Sequence, residues 1–303
     1  MIREIQDQIL ELKQKNDVAV LAHSYQSPEI LEVADITGDS FALSVKAQEL
    51  PQKNIVLCGV RFMADTIKLL SPEKRVVLPV AEATCPMAEQ ISPERVLKFK
   101  QENPEFKVVA YINTTTELKA VCDVCVTSSS ALKIVRNMPE KNILFIPDYN
   151  LGSYIKKSLP EKNIVLWNGM CPVHAAVTVG DCKRAKAAYP NAKFLMHPEL
   201  PQEILAYADV IGSTAAILDY AKNCVEDCVI GTEKSIADYL RITCPDRKFP
   251  LLSKRLMCPN MRLTNIMDVC KAVSGEGGEV IEIDEDLRLS AKFPIDEMIR
   301  LSK

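Results

Sequence analysis

Val18–Leu43, VAVLAHSYQSPEILEVADITGDSFAL, recurs in altered form as VVAYINTTTELKAVCDVCVTSSSAL from Val108 and as FLMHPELPQEILAYADVIGSTAAIL from Phe194. Self-similarity at a fixed period is read before any single element, because a repeat dictates the whole architecture. In each copy an apolar run ends at a ring residue, His23, Tyr111 or His197. An aspartate follows 12 positions later, at Asp35, Asp123 and Asp209. A hydroxyl follows the ring by 16 or 17 positions, at Ser40, Ser128 and Ser213. The second halves match as well, and each closes on a Cys-Pro pair: Cys85-Pro86, Cys171-Pro172 and Cys258-Pro259, spaced by 86 and 87 residues.

Three copies imply three domains, over residues 1–85, 86–171 and 172–258, with 259–303 as a C-terminal tail packing back on the first. Length alone would suggest two domains for 303 residues. Units this small bury little core alone, so packing against one another is expected. Short apolar runs at 18–22, 54–58, 75–80, 107–112, 142–147, 163–167, 193–196 and 227–231 read as strands. Helical patterns fill the gaps, at 28–35, 41–50, 61–70, 93–102 and 201–208, and a closing helix is expected near 295–302. GEGGE at 275–279 reads as a loop. The fold class is α/β: three homologous α/β/α sandwich domains with parallel sheets about a pseudo-threefold axis. In such sheets ligands gather beyond the carboxyl ends of the strands, where His23, Tyr111 and His197 fall.

A net charge of -3, with 48% hydrophobic and 25% charged residues, describes a soluble globular chain and excludes a basic nucleic-acid binder. The charged N-terminus has no signal-peptide core and no run spans a membrane, so a cytoplasmic location is expected. Eleven cysteines without an export signal imply reduced thiols.

Cys85, Cys171 and Cys258 share one repeat position. Three thiolates suit a cubane iron–sulfur cluster with one iron free of protein ligand, whereas electron-transfer clusters and structural zinc sites usually take four ligands. An open position is what a Lewis acid needs. The plainer alternative is that strand-end cysteines are small buried hydrophobes. Cys122 and Cys125 form a CxxC, yet they align with Ala34 and Thr37 and with Ala208 and Ile211, which makes them packing positions. Cys224 and Cys228 have helical i,i+4 spacing. Cys58, Cys182, Cys244 and Cys270 fall outside the periodic position.

Of three histidines, His23 and His197 hold equivalent places, which favours a shared site; His174, near Cys171, could support that site or face solvent. Asp39-Ser40, Ser128-Ser129 and Ser213-Thr214 stand where turns enter helical patterns, so amides and hydroxyls there could hold carboxylate or phosphate, or simply cap helices. Tyr25, Tyr111, Glu199 and the two equivalent histidines, His23 and His197, are the acid–base candidates. Residues alone thus point to an iron–sulfur dehydrating enzyme acting on a small polyanion. A non-catalytic iron–sulfur protein, a zinc-stabilised binding protein and a different hydro-lyase are the competing classes.

The chain resembles the quinolinate synthases, iron–sulfur enzymes of NAD biosynthesis, over about His23 to Met261. The motifs that carry the resemblance are His-Ser-Tyr-Gln at 23–26, Gly-Asp-Ser at 38–40, Cys-Gly-Val-Arg-Phe-Met-Ala at 58–64, Cys-Pro-Met-Ala at 85–88, Tyr-Ile-Asn at 111–113 and Thr-Ser-Ser at 127–129. They continue with Pro-Asp-Tyr-Asn-Leu-Gly at 147–152, Trp-Asn-Gly-Met-Cys-Pro-Val-His at 167–174, His-Pro-Glu at 197–199, Gly-Ser-Thr at 212–214, Gly-Thr-Glu at 231–233 and Met-Cys-Pro-Asn-Met at 257–261.

The resemblance implies condensation of iminoaspartate with dihydroxyacetone phosphate to pyridine-2,3-dicarboxylate, with loss of phosphate and two waters. It implies one [4Fe-4S] cluster on Cys85, Cys171 and Cys258, and anion contacts from His23, Ser40, Ser128, His197, Ser213 and Thr214. Tyr25, Tyr111, Asn113 and Glu199 would line the reacting face, with Glu199 and Tyr25 moving protons, and an aspartate oxidase would supply the imine. Ser130 and Arg262 depart from the common Asn and Lys of relatives, and the chain has the short form of the family, without a further cysteine cluster at its C-terminus.

Overall fold

A computed structural model describes residues 1–302 and divides into two compact units. The first contains Met1–Cys85 and Cys258–Lys292, the second Pro86–Met257 and the described residues from Phe293 on. The chain is α/β, with parallel strands alternating with helices.

In the first unit β1 (Val18–His23), β2 (Ile36–Gly38), β3 (Asn54–Cys58) and β4 (Arg75–Leu78) form a parallel sheet in the order β4-β3-β1-β2. In the second, β5 (Lys107–Tyr111), β6 (Val124–Val126), β7 (Asn142–Ile146) and β8 (Asn163–Leu166) repeat that order as β8-β7-β5-β6. A third sheet, in the same unit, contains β9 (Lys193–Met196), β10 (Val210–Ile211) and β11 (Cys228–Gly231) as β11-β9-β10. A single parallel bridge, Ile230 to Leu251, stands where a fourth strand would lie.

The repeated aspartates explain why each of the three sheets places the same short edge strand beside its first strand. Asp35, Asp123 and Asp209 each accept a strand N–H through Oδ2, from Val20, Val108 and Phe194, at 2.7, 2.8 and 2.7 Å. Each returns its own N–H to the carbonyl of that same strand residue, at 2.8, 3.0 and 2.9 Å. The aspartate therefore pins the short edge strand beside the first strand of its sheet. This also shortens the helices expected at 28–35 and 201–208 to the single turns Pro28–Leu31 and Gln202–Leu205. A longer helix would carry the aspartate away from the strand it must reach.

Strand β12 (Glu279–Val280) adds an antiparallel edge beside β4, so Glu279 is strand rather than loop. The closing helix runs Glu285–Leu301, one long element in place of the short one expected.

Central strands are buried on both faces, which is why they read as continuous apolar runs. Val20 and Ala22, Val56 and Cys58, and Val77 share one face of the first sheet. Ile9 of the helix Ile2–Asn16 and Val269 and Val273 of the helix Ile266–Ser274 pack in the same cluster. Burying each of the larger side chains contributes about 1.5–3 kcal/mol. In the third sheet Phe194, Met196 and Val229 pack with Cys182, Ile204 and Leu256. Among the described residues no helix is long and apolar enough to cross a membrane.

Candidate active site

The parallel strands of the second unit deliver polar residues at their carboxyl ends. Tyr111 is the last residue of β5, Asp148 follows β7, His197 follows β9 and Thr232 follows β11. Tyr111, Asp148, His174, His197, Glu199 and Thr232 are all nearly inaccessible to solvent.

Glu199 is the centre. Its Oε1 accepts a hydrogen bond from the Tyr111 hydroxyl at 2.7 Å, and its Oε2 lies 3.0 Å from Nδ1 of His174. Burial alone would raise the Glu199 carboxyl, but the His174 and His197 rings and the hydrogen bonds from His174 and Tyr111 overcome it and hold the group at about 2. It is a carboxylate at neutral pH. On the other side of the His174 ring Nε2 faces Thr232 Oγ1 at 3.3 Å, so hydroxyl, imidazole and carboxylate stand in line. That order lets a proton pass along the ring. Asn150 fixes the backbone of the same loop by donating from Nδ2 to the Glu199 carbonyl at 3.0 Å.

His197 works differently. The Glu199 N–H points at its Nδ1 at 3.4 Å, which leaves Nε2 to carry the ring proton. Burial, against the pull of Glu199, lowers its pKa to about 4, so the ring is neutral and a donor. His23 in the first unit has the same arrangement: the Tyr25 N–H points at its Nδ1 at 3.1 Å, and burial, against Asp39, again brings it to about 4. The Tyr25 ring stands edge-on to it, with centroids 4.5 Å apart. Two equivalent positions of the repeat thus share one tautomer, a fact about chemistry and not only about sequence.

Cys171 is held by its own loop. Asp148 accepts the Cys171 N–H through Oδ2 at 3.0 Å and caps the helix Tyr149–Ser158 by accepting the Leu151 N–H through Oδ1 at 2.6 Å. Gln90 grips the preceding peptide on both sides, accepting the Met170 N–H at 2.7 Å and donating to the Met170 carbonyl at 3.0 Å. Gly169 must be glycine here, because a Cβ would lie 2.6 Å from the Pro147 carbonyl. The Cys171 sulfur is 3.3 Å from His174 Nδ1, and ligand atoms of Cys171, His174 and Glu199 all fall within 4.8 Å, a group able to hold a metal. In the first unit Gln26 plays a comparable part for the stretch after Cys258, donating to the Met261 carbonyl at 2.9 Å.

The remaining expected residues sit as follows. Ser40 opens a helix capped by Asp39, Ser213 caps the helix Thr214–Asn223 by accepting the Ala216 N–H, and Ser128 and Asn113 are half-buried on loops after β6 and β5. Cys85, Cys171 and Cys258 are all partly exposed. Cys122 and Cys125 are buried, the former donating to the Leu118 carbonyl at 3.0 Å, and burial raises both thiols. Cys224 and Cys228 are not on one helix despite their spacing: Cys224 ends the helix Thr214–Asn223 and Cys228 begins β11.

Sequence reading left His174 open and missed Asp148, Thr232, Asn150 and Gln90. Asp148 and Asn150 lie inside Pro-Asp-Tyr-Asn-Leu-Gly and Thr232 inside Gly-Thr-Glu, so position within a motif was the available signal.

The family model described as quinolinate synthetase A protein matches residues 7–300. A quinolinate synthase of Clostridium kluyveri is 43% identical over 296 residues, 97% of each chain. One of Caldicellulosiruptor bescii is 41% identical over 301 residues, 99% of each, and one of Alkaliphilus metalliredigens is 42% identical over 296 residues, 97% of each. With a matching model over nearly its full length and relatives above 40% identity end to end, the chain belongs to the quinolinate synthase family of enzymes.

Proposed function

We propose that this enzyme condenses iminoaspartate with dihydroxyacetone phosphate to give quinolinate, phosphate and two waters in NAD biosynthesis. The observation that carries the reading is the buried Glu199 carboxylate, tied to Tyr111 and His174 beside Cys171. Family membership and the names of its relatives support it from outside the site.

The proposed cofactor is one [4Fe-4S] cluster on Cys85, Cys171 and Cys258, which occupy one position in each repeat, after β4, after β8 and after Leu251. The donor set at Cys171 fits such a group, since the backbone amide of Cys171 is fixed by Asp148 while its sulfur stays partly exposed. His174 and Glu199 are engaged with each other and with Thr232 and Tyr111, which favours proton handling over metal ligation for both. Bound there, the cluster would supply a Lewis acid through the iron that lacks a cysteine.

The chain's own residues do the rest. Neutral His23 and His197 offer Nε2–H to carboxylate or phosphate oxygens, which a charged, solvated ring would do less selectively. The helix starts at Ser40 and at Ser213 and Thr214 add amides and hydroxyls, and Ser128 a further hydroxyl. Asn113 and Tyr25 line the reacting face, where the Tyr25 phenol is a further group able to move a proton. Glu199 takes a proton and Tyr111 or the Thr232–His174 pair returns one, so that water can leave. Iminoaspartate hydrolyses readily, which supports supply by an aspartate oxidase. The cytoplasm is the proposed compartment, because reduced cysteines are needed for a cluster. The three-repeat organisation belongs to the same proposal, supported by the shared strand order of the three sheets.

The test is quinolinate formation by anaerobically reconstituted protein given dihydroxyacetone phosphate and iminoaspartate made in place. Product supports the reading. A verified cluster with no product would leave a different hydro-lyase reaction.

A further inference from the structure

Among the described residues Cys224 and Cys228 bring their sulfurs to 3.1 Å. The two come from different elements. Cys224 ends the helix Thr214–Asn223, its N–H bonded to the Tyr220 carbonyl at 2.9 Å, and Cys228 opens β11, its N–H bonded to the Lys248 carbonyl at 3.0 Å. Both thiols face the Glu226 carbonyl, each at 3.5 Å. Arg247 fixes the helix end that carries Cys224: its guanidinium donates to the carbonyls of Ala221 at 2.6 Å, Lys222 at 3.2 Å and Cys224, and to the Cys224 sulfur at 3.4 Å. The juxtaposition is therefore held by backbone on both sides.

Exposure gives the two sulfurs different parts. Cys224 is half-buried and so the more accessible of the two, whereas Cys228 is fully buried. Burial, reinforced by the neighbouring Cys224, pushes the Cys228 thiol well above the usual range, so Cys228 enters only after Cys224 has reacted. The CxxC of Cys122 and Cys125 offers a contrast. Both of its thiols are buried, Cys125 inside β6, with no reachable sulfur to start an exchange.

We propose that Cys224 and Cys228 form a thiol–disulfide modification site, converted to an intrachain disulfide by a small-molecule disulfide such as oxidised glutathione. The Cys224 thiolate attacks one sulfur of the small disulfide and expels one thiolate, leaving a mixed disulfide. Cys228 then attacks the Cys224 sulfur, and the second small thiolate departs with the Cys228 proton. The protein loses two protons and two electrons, and the small disulfide becomes two thiols. A disulfide has its sulfurs about 2.05 Å apart, so closure needs a movement of about 1 Å, within reach of side-chain rotation. The bond would tie together a helix that begins at Ser213–Thr214 and a strand that ends before Thr232. That consequence rests on the proposed function, but the modification does not.

The experiment uses the intact protein, treated anaerobically with oxidised glutathione, alkylated and digested with trypsin. One peptide, Asn223–Lys234, contains both cysteines. The expected result is that this peptide loses two hydrogens, resists alkylation and recovers both thiols after a dithiol reductant. Cys228→Ser should then trap glutathione on Cys224, and Cys224→Ser should leave Cys228 unmodified. A peptide that keeps two alkylatable thiols while other cysteines oxidise, or that holds glutathione on Cys224 of the unsubstituted chain without bridging, overturns the proposal. Because mass is the readout, the result does not depend on substrate, cluster or activity.

Discussion

Replacing Tyr111 by Phe removes one hydroxyl from a buried site without altering its shape, and takes from Glu199 Oε1 its donor at 2.7 Å. A hydrogen bond to a charged group contributes about 1.5–3 kcal/mol and one between neutral groups about 0.5–1.5 kcal/mol. Glu199→Gln keeps a neutral acceptor in the same place. Tyr111→Phe in the parent chain therefore loses the charged bond, whereas Tyr111→Phe in the Gln background loses the neutral one. The double-mutant cycle should show a coupling of about 1–1.5 kcal/mol, above the 0.3–0.5 kcal/mol within which independent sites add. Trp167, the single tryptophan, lies in the same unit as both residues, so urea unfolding of metal-free protein followed by its fluorescence reads the right part of the chain. Additive stabilities would refute the bond between phenol and carboxylate. The same variant separates two roles in turnover. At about 1.4 kcal/mol per factor of ten, loss of the bond alone accounts for roughly a 10- to 150-fold fall in kcat. A larger fall would give the Tyr111 hydroxyl a proton of its own in the reaction.

His23 is buried and lowered to about 4, against 6.5 when exposed, so the fold binds fewer protons than the unfolded chain between those values. Its contribution is fully present above pH 6.5 and is lost as pH falls toward 4, at about 1.4 kcal/mol per pH unit; His23→Asn should remove that slope in denaturation followed by circular dichroism, and an unchanged slope would show the ring to be exposed in solution. Asp148→Ala strips acceptors from the amides of Cys171 and Leu151 and should cost about 2–4 kcal/mol from the lost cap and the orphaned buried N–H, together with bound iron. Full iron stoichiometry in that variant would mean that the Cys171 loop needs no such support. Cys171→Ala should lose iron and activity together, while Cys125→Ala, which alters only a packed strand position, should keep both; the reverse pattern would overturn the ligand assignment.

Much of this was legible along the chain because it is written in local pattern. The apolar runs of β1, β5 and β9 are long and buried on both faces, so their ends, and the ring residues beyond them, could be placed to within a residue or two. The edge strands β2, β6 and β10 could not. They are two or three residues long, carry no periodicity of their own and exist because an aspartate side chain holds each against its neighbour. β12 was hidden for a related reason, since its pairing with β4 joins segments about 200 residues apart and owes nothing to local propensity.

Cysteine spacing shows the limit most sharply. A CxxC attracts attention in a sequence, yet Cys122 and Cys125 are buried packing residues, whereas Cys224 and Cys228 look like helix neighbours and instead face each other across a turn. The sequence by itself determined the strand-end positions of His23, Tyr111 and His197, and the family, because each follows from residue order and local periodicity. Only the tertiary structure decided that Glu199 meets Tyr111 and His174, that Asp148 and Gln90 hold the Cys171 loop, and that His23 and His197 are neutral donors. These depend on which side chains two packed sheets bring together and on how much water that packing excludes.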